Sequence, residues 1–207
     1  RAEEAKACFE HALRLAPGHA GSHHALGRLE QKEKHRIPAL LALSRCLIVE
    51  NEGQRARGNL SAVKDLMKGS AQRTGSNNVT VTVDPALLPD KGDSAHRADD
   101  FNSAELLIDM MSALDLSEEN KTKPFVELFQ EKFDSLCGIL DETKAGQSGF
   151  FWEYYAPYFS ALKKAGHVET AVMLMHSSSA AVGVQNWLKS NRIAITAFEE
   201  WSAAYEW

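Results

Sequence analysis

Residues 5–17 read Ala5-Lys6-Ala7-Cys8-Phe9-Glu10-His11-Ala12-Leu13-Arg14-Leu15-Ala16-Pro17. Ala5, Phe9, Ala12 and Leu13 recur at helical spacing and make one apolar stripe, and Pro17-Gly18 stops the helix because proline lacks the amide hydrogen that a further turn needs. The spacing predicts a helix over Ala2–Leu15. A second follows over Ala20–Lys34. A third opens with Pro38 in its first turn and carries Leu40, Leu41, Ser44, Leu47 and Ile48 at helical intervals. A fourth covers Gln54–Lys68, with Leu60, Val63 and Met67 facing inward and Gly69 as the expected C-terminal cap.

The order small residue, aromatic, small residue, terminal proline at Ala5, Phe9, Ala12 and Pro17 is also a packing pattern. Small side chains let two helices approach, and the ring fills the space between them. On these four residues the segment resembles the second helix of the tetratricopeptide repeat (TPR) family, whose helix–turn–helix units repeat about every 34 residues. One period on, Leu26-Gly27 matches the Leu-Gly of a unit's first helix, and Ala39 matches the small residue that opens the second. His23, Glu30, Leu43, Cys46 and Asn51 stand where that family usually has Trp, Tyr, Phe, Ala and Pro. A third unit from Glu52 keeps Leu60. The resemblance covers about 70 residues and suggests the tail of a longer array; it implies helix hairpins that present a groove to a peptide or protein.

Downstream, residues 70–100 are rich in Gly, Ser, Asn, Asp and Pro and read as a connector. Within them Val79-Thr-Val-Thr-Val83 alternates β-branched residues, a candidate short strand in need of a partner, here or on another chain. Helical periodicity returns after Phe101. Asn102 and Glu105 resemble a capping box. Pro124 opens an amphipathic helix with Phe125, Leu128, Phe129, Phe133, Leu136, Cys137 and Leu140 on one face and Glu127, Glu131, Lys132 and Asp134 elsewhere. Further helices are expected over Phe151–Lys164, Val168–His176, Val184–Leu188 and Arg192–Tyr205. The predicted fold is all-α: stacked antiparallel helix hairpins (a TPR-like α-solenoid) over 1–69, the connector with its short strand 79–83 over 70–100, and a helical capping region over 101–207.

Composition narrows the function. The chain has 207 residues, 44% of them hydrophobic, with a net charge of −5. Disorder is unexpected at that apolar content, and an acidic balance argues against a nucleic-acid partner. No apolar run approaches the roughly 20 residues that span a bilayer. Cys8, Cys46 and Cys137 are too few and too scattered for a disulfide framework or a zinc site, and read as small buried hydrophobes.

Candidate sites are few. Phe150-Phe-Trp-Glu-Tyr-Tyr-Ala-Pro-Tyr-Phe159 packs seven aromatics into ten residues, more than one helix face can bury. Trp152, Tyr155 and Phe159 form one stripe and Phe151, Tyr154 and Tyr158 a second. The helix is therefore either sandwiched between neighbours, or it uses Phe151, Trp152, Tyr154, Tyr155 and Tyr158 to line a ligand groove. His19 and His23 sit four residues apart, a spacing that can hold a metal, but no third ligand is evident and no metal is expected. The stretch from Asp84 to Asp93 offers oxygen ligands without EF-hand spacing. Arg55, Arg57, Lys64, Lys68 and Arg73 make a basic cluster diluted by acidic neighbours. Nucleophile and phosphate-loop motifs are missing, so neither a catalytic residue nor a cofactor is expected. The reading is a non-enzymatic scaffold for a protein or peptide partner, with room for a homo-oligomer through the aromatic surface; the alternative is a small-ligand-binding or enzymatic domain centred on residues 150–162.

Overall fold

Ile37 to Leu47 are eleven consecutive buried residues, so the helix that carries them is covered on every side and organises the rest. In a computed structural model describing residues 1–75, 78–82 and 98–207, this helix is α3 (Arg36–Val49), flanked by α1 (Ala2–Leu15), α2 (Ala20–Lys32) and α4 (Gly53–Leu66). After the connector come α5 (Asn102–Leu114) and α6 (Phe125–Thr143). A π-helical turn (Phe151–Tyr155) runs straight into α7 (Ala156–Lys164), and α8 (Val168–Met175), α9 (Val182–Ser190) and α10 (Arg192–Ala203) complete the all-α architecture. Among the described residues, no helix is long and apolar enough to cross a membrane.

Successive helices pack side by side, α1 on α2, α2 on α3 and α3 on α4, while α5, α8 and the π-helical turn close over α3. One continuous core runs from Leu13, Leu26 and Leu43 through Phe129 and Tyr158 to Phe198. Residues 1–69 and 101–207 thus share a single interior, although the connector separates them in sequence.

Several local expectations are corrected. α2 stops at Lys32, short of Lys34, because Lys34 takes a left-handed φ of 67° that reverses the chain. The His35 amide then reaches the Glu30 carbonyl at 2.9 Å, a left-handed C-terminal closure. Gly69 does not take that role for α4, which ends at Leu66. Its value is proximity: a Cβ there would lie 2.5 Å from Ser112 Oγ and 3.0 Å from the Asp109 backbone on α5. Asn102 lies inside α5, and its amide is capped by the Asp100 carboxylate at 3.0 Å. Lys132 is buried on α6, its ammonium donating to Asp115 at 2.6 Å and to the Met67 carbonyl at 3.0 Å.

The candidate strand finds its partner within the connector. β1 (Gln72–Arg73) pairs antiparallel with β2 (Val79–Thr80), Gln72 opposite Thr80 and Arg73 opposite Val79. Val81 and Thr82 lie beyond the ladder. Val83 and the Asp84–Asp93 candidate lie outside the described residues.

Candidate functional site

The aromatic segment enters its helix through two devices. Gly149, at φ 113°, brings the chain so close to Asp99 that a Cβ would lie 2.5 Å from its carboxylate. Asp99 Oδ1 in turn accepts from the Phe151 and Trp152 amides at 2.7 and 3.2 Å, capping amides that would otherwise be orphaned. Burial pushes the Asp99 carboxyl pKa up, with the two amide bonds opposing. The widened turn follows from Pro157, which cannot donate to the Glu153 carbonyl and whose ring would crowd it. Instead the Ala156 amide bonds back to the Phe151 carbonyl.

That wider turn redistributes the rings. Phe151, Trp152, Tyr154, Tyr155 and Tyr158, the five candidate groove residues, are all buried. Each polar handle ties the helix to a different element. Tyr154 Oη donates to the Leu13 carbonyl at 3.1 Å, and Trp152 Nε1 donates to the Asp100 carbonyl at 2.9 Å. His23 Nε2 lies 2.8 Å from the Pro17 carbonyl, which can only accept, so Nε2 carries the hydrogen and Nδ1 accepts from Tyr155 Oη at 2.8 Å. Of the five, Trp152 alone borders an opening of about 250 Å³, between α6 and α7, with Leu140, Pro157, Ser160 and Lys164 around it.

Sequence reasoning missed Arg45. It is 5% exposed in the middle of α3, and its Nη1 donates to Tyr158 Oη at 2.8 Å and to Ser202 Oγ at 2.9 Å. The guanidinium carbon lies 4.4 Å from the centroid of the Tyr158 ring and 4.9 Å from that of Trp207. Burial pushes its pKa down, and Nε is enclosed with no hydrogen-bond partner among the described residues. A charged residue inside an otherwise apolar and small-residue run was the available signal.

The histidine pair does not form a metal site. His23 spends both ring nitrogens on Pro17 and Tyr155, while His19 caps α2 through Ser22 at 3.3 Å. A different trio, Glu30, Glu33 and His35, does bring its ligand atoms within 4.8 Å of one another. Glu30 is fully buried, but the Lys6 ammonium sits 2.9 Å from one of its oxygens and His35 Nδ1 2.6 Å from the other. Lys6 already supplies the positive charge that a metal ion would bring.

Of the basic cluster, Arg55 pairs with Glu50, Lys68 with Asp65 and Arg73 with Glu118, while the Lys64 ammonium lies 5.2 Å from the centroid of the Phe125 ring. Cys8 is exposed on α1, contrary to expectation, because α1 has packed neighbours on one side only; Cys46 and Cys137 are buried. Desolvation pushes the Cys46 thiol up to about 11 and Cys137 higher still. The native protein is therefore expected to react with a thiol reagent at Cys8 alone, the other two labelling only after urea is added. Fast native labelling of a second thiol would contradict this packing. No protein-family model, no curated protein and no solved structure matches the chain.

Proposed function

We propose that the chain acts without catalysis, as a TPR-like stack of helix hairpins that docks an acidic segment of a partner protein across the outer faces of α2 and α4. The placement of α3 carries this reading. The C-terminal helices and the aromatic segment cover α3, leaving α2 and α4 with solvent-facing residues such as Lys32, Arg55, Arg57 and Ser61. The two helices adjoin: His24 Nδ1 donates to Asn59 Oδ1 at 2.9 Å, and a Cβ on Gly58 would lie 3.5 Å from Arg28 Nη2. Arg28 and Lys32 follow each other on one face of α2 with Gly58 of α4 beside Arg28, and Arg57, next in sequence to Gly58, is exposed. We read these three charges as a cationic strip on an otherwise acidic chain, which would steer an acidic segment toward it.

The test is titration of the whole chain with a fluorescently labelled short peptide of alternating Glu and Leu, beside the same peptide with Lys for Glu. The acidic peptide should bind saturably, and Arg28→Glu combined with Arg57→Glu should weaken it by about tenfold or more while circular dichroism is unchanged. Equal binding of the two peptides, or tighter binding of a single-stranded RNA, overturns the reading.

A further inference from the structure

We infer that the cavity beside Arg45 is a binding site for a small monocarboxylate with a short apolar chain, a site that stands whether or not α2 and α4 dock a partner. Burying a guanidinium is costly unless a negative charge answers it. Arg45 has two hydroxyls and two aromatic faces around it, Tyr158, Ser202 and Trp207, and among the described residues no carboxylate forms an ion pair with it. Both hydrogen bonds leave from Nη1 and Nε is enclosed, so Nη2 is the donor that remains for a ligand. A carboxylate oxygen suits that donor, because a charge-assisted hydrogen bond is stronger than a neutral one.

The cavity holds about 260 Å³ where α3, α8 and α10 meet, which is smaller than a drug-sized pocket. Its lining is more polar than apolar: Arg45, Asn51 and Ser202 bring polar atoms, and Ile48, Val49, Leu174 and Phe198 supply a smaller apolar patch. Glu199, exposed on α10, lines the same cavity. Its carboxylate repels a second negative charge, so one charge and an alkyl chain suit the space better than phosphate or a dicarboxylate.

The probes are hexanoate, the neutral hexanol and inorganic phosphate, titrated into the whole chain at fixed ionic strength. Fluorescence of Trp201 and Trp207 reports occupancy, and the melting temperature gives a second readout, since a ligand of the native state raises it with concentration. Hexanoate is expected to saturate and to bind about tenfold or more tighter than either hexanol or phosphate. Arg45→Met should abolish that preference. Because it also removes two buried hydrogen bonds, Ala203→Trp provides a second variant: it fills the cavity from an exposed position, leaves the Arg45 bonds in place, and should lose hexanoate. The site is disproved by hexanol binding as well as hexanoate, by phosphate binding as tightly, by no saturable binding, or by Ala203→Trp binding normally. A short peptide that binds more tightly than hexanoate through its free C-terminus, and not as its amide, would overturn the small-ligand assignment.

Discussion

Gly27→Ala is expected to lower the unfolding free energy by about 1–3 kcal/mol, although alanine is intrinsically the better helix former. A Cβ at Gly27 would sit 2.7 Å from Leu43 Cγ, 2.8 Å from its Cδ2 and 3.1 Å from the Leu43 backbone nitrogen. Leu43 is fully buried, so its side chain has nowhere to swing, and its backbone nitrogen belongs to α3 itself. The two helices must separate. Gly58, also inside a helix, makes the contrast: its nearest foreign atom is the flexible end of Arg28 at 3.5 Å, so Gly58→Ala should stabilise by about 0.5–1 kcal/mol. Urea midpoints at unchanged slope would measure both. Leu43→Ala should be less damaging in the Gly27→Ala background than alone, because the shorter side chain relieves the overlap. If Gly27→Ala is as stable as the parent, the close crossing of α2 and α3 is wrong.

The first helices were legible because their limits are local. Pro17-Gly18 stops α1 where the stripe of Ala5, Phe9 and Ala12 ends, and Leu26-Gly27 marks a close crossing before any coordinate is known. Features set by distant segments were not. Lys34 takes the left-handed turn that glycine usually takes, and nothing beside it in sequence announces this. Asp99 caps the aromatic helix from the connector, and Lys132 turns inward because the Met67 carbonyl and Asp115 await it. The aromatic stripes follow a period of 3.6 residues, whereas the π-helical turn over Phe151–Tyr155 shifts its rings relative to those downstream in α7. The five groove candidates belong to the core, and the donor left over is Nη2 of Arg45, on a helix whose sequence shows only the stripe of Leu40, Leu41, Ser44, Leu47 and Ile48 although it is buried all round.

Acid should unfold this protein well before its carboxylates are fully protonated, because two buried histidines must stay neutral in the folded state. Burial lowers His23 from 6.5 to about 3, opposed by its bond to the Pro17 carbonyl and reinforced by Arg45 and His19. Burial likewise lowers His176 from 6.5 to about 4, where it packs on Phe129 and donates Nδ1 to the Val172 carbonyl, with the Lys64 charge adding to the shift. With both folded values depressed, the unfolded chain binds more protons between pH 6.5 and those values. Stability is therefore complete above about pH 6.5 and falls as the pH drops toward 4 and then 3. On this scale His23 accounts for roughly 5 kcal/mol and His176 for roughly 3, enough together to rival the 5–15 kcal/mol of a typical domain. Glu10 and Asp99 act in the opposite sense, since burial raises both; they soften the loss only once carboxylates begin to protonate. Urea titrations at successive pH values should show stability nearly level from pH 8 to 7 and dropping steeply below 6. His176→Phe, which places an uncharged ring against Phe129, should flatten that decline even if it changes the stability at pH 7. A decline of the same steepness in this variant would mean that the buried imidazole of His176 does not govern the acid limit.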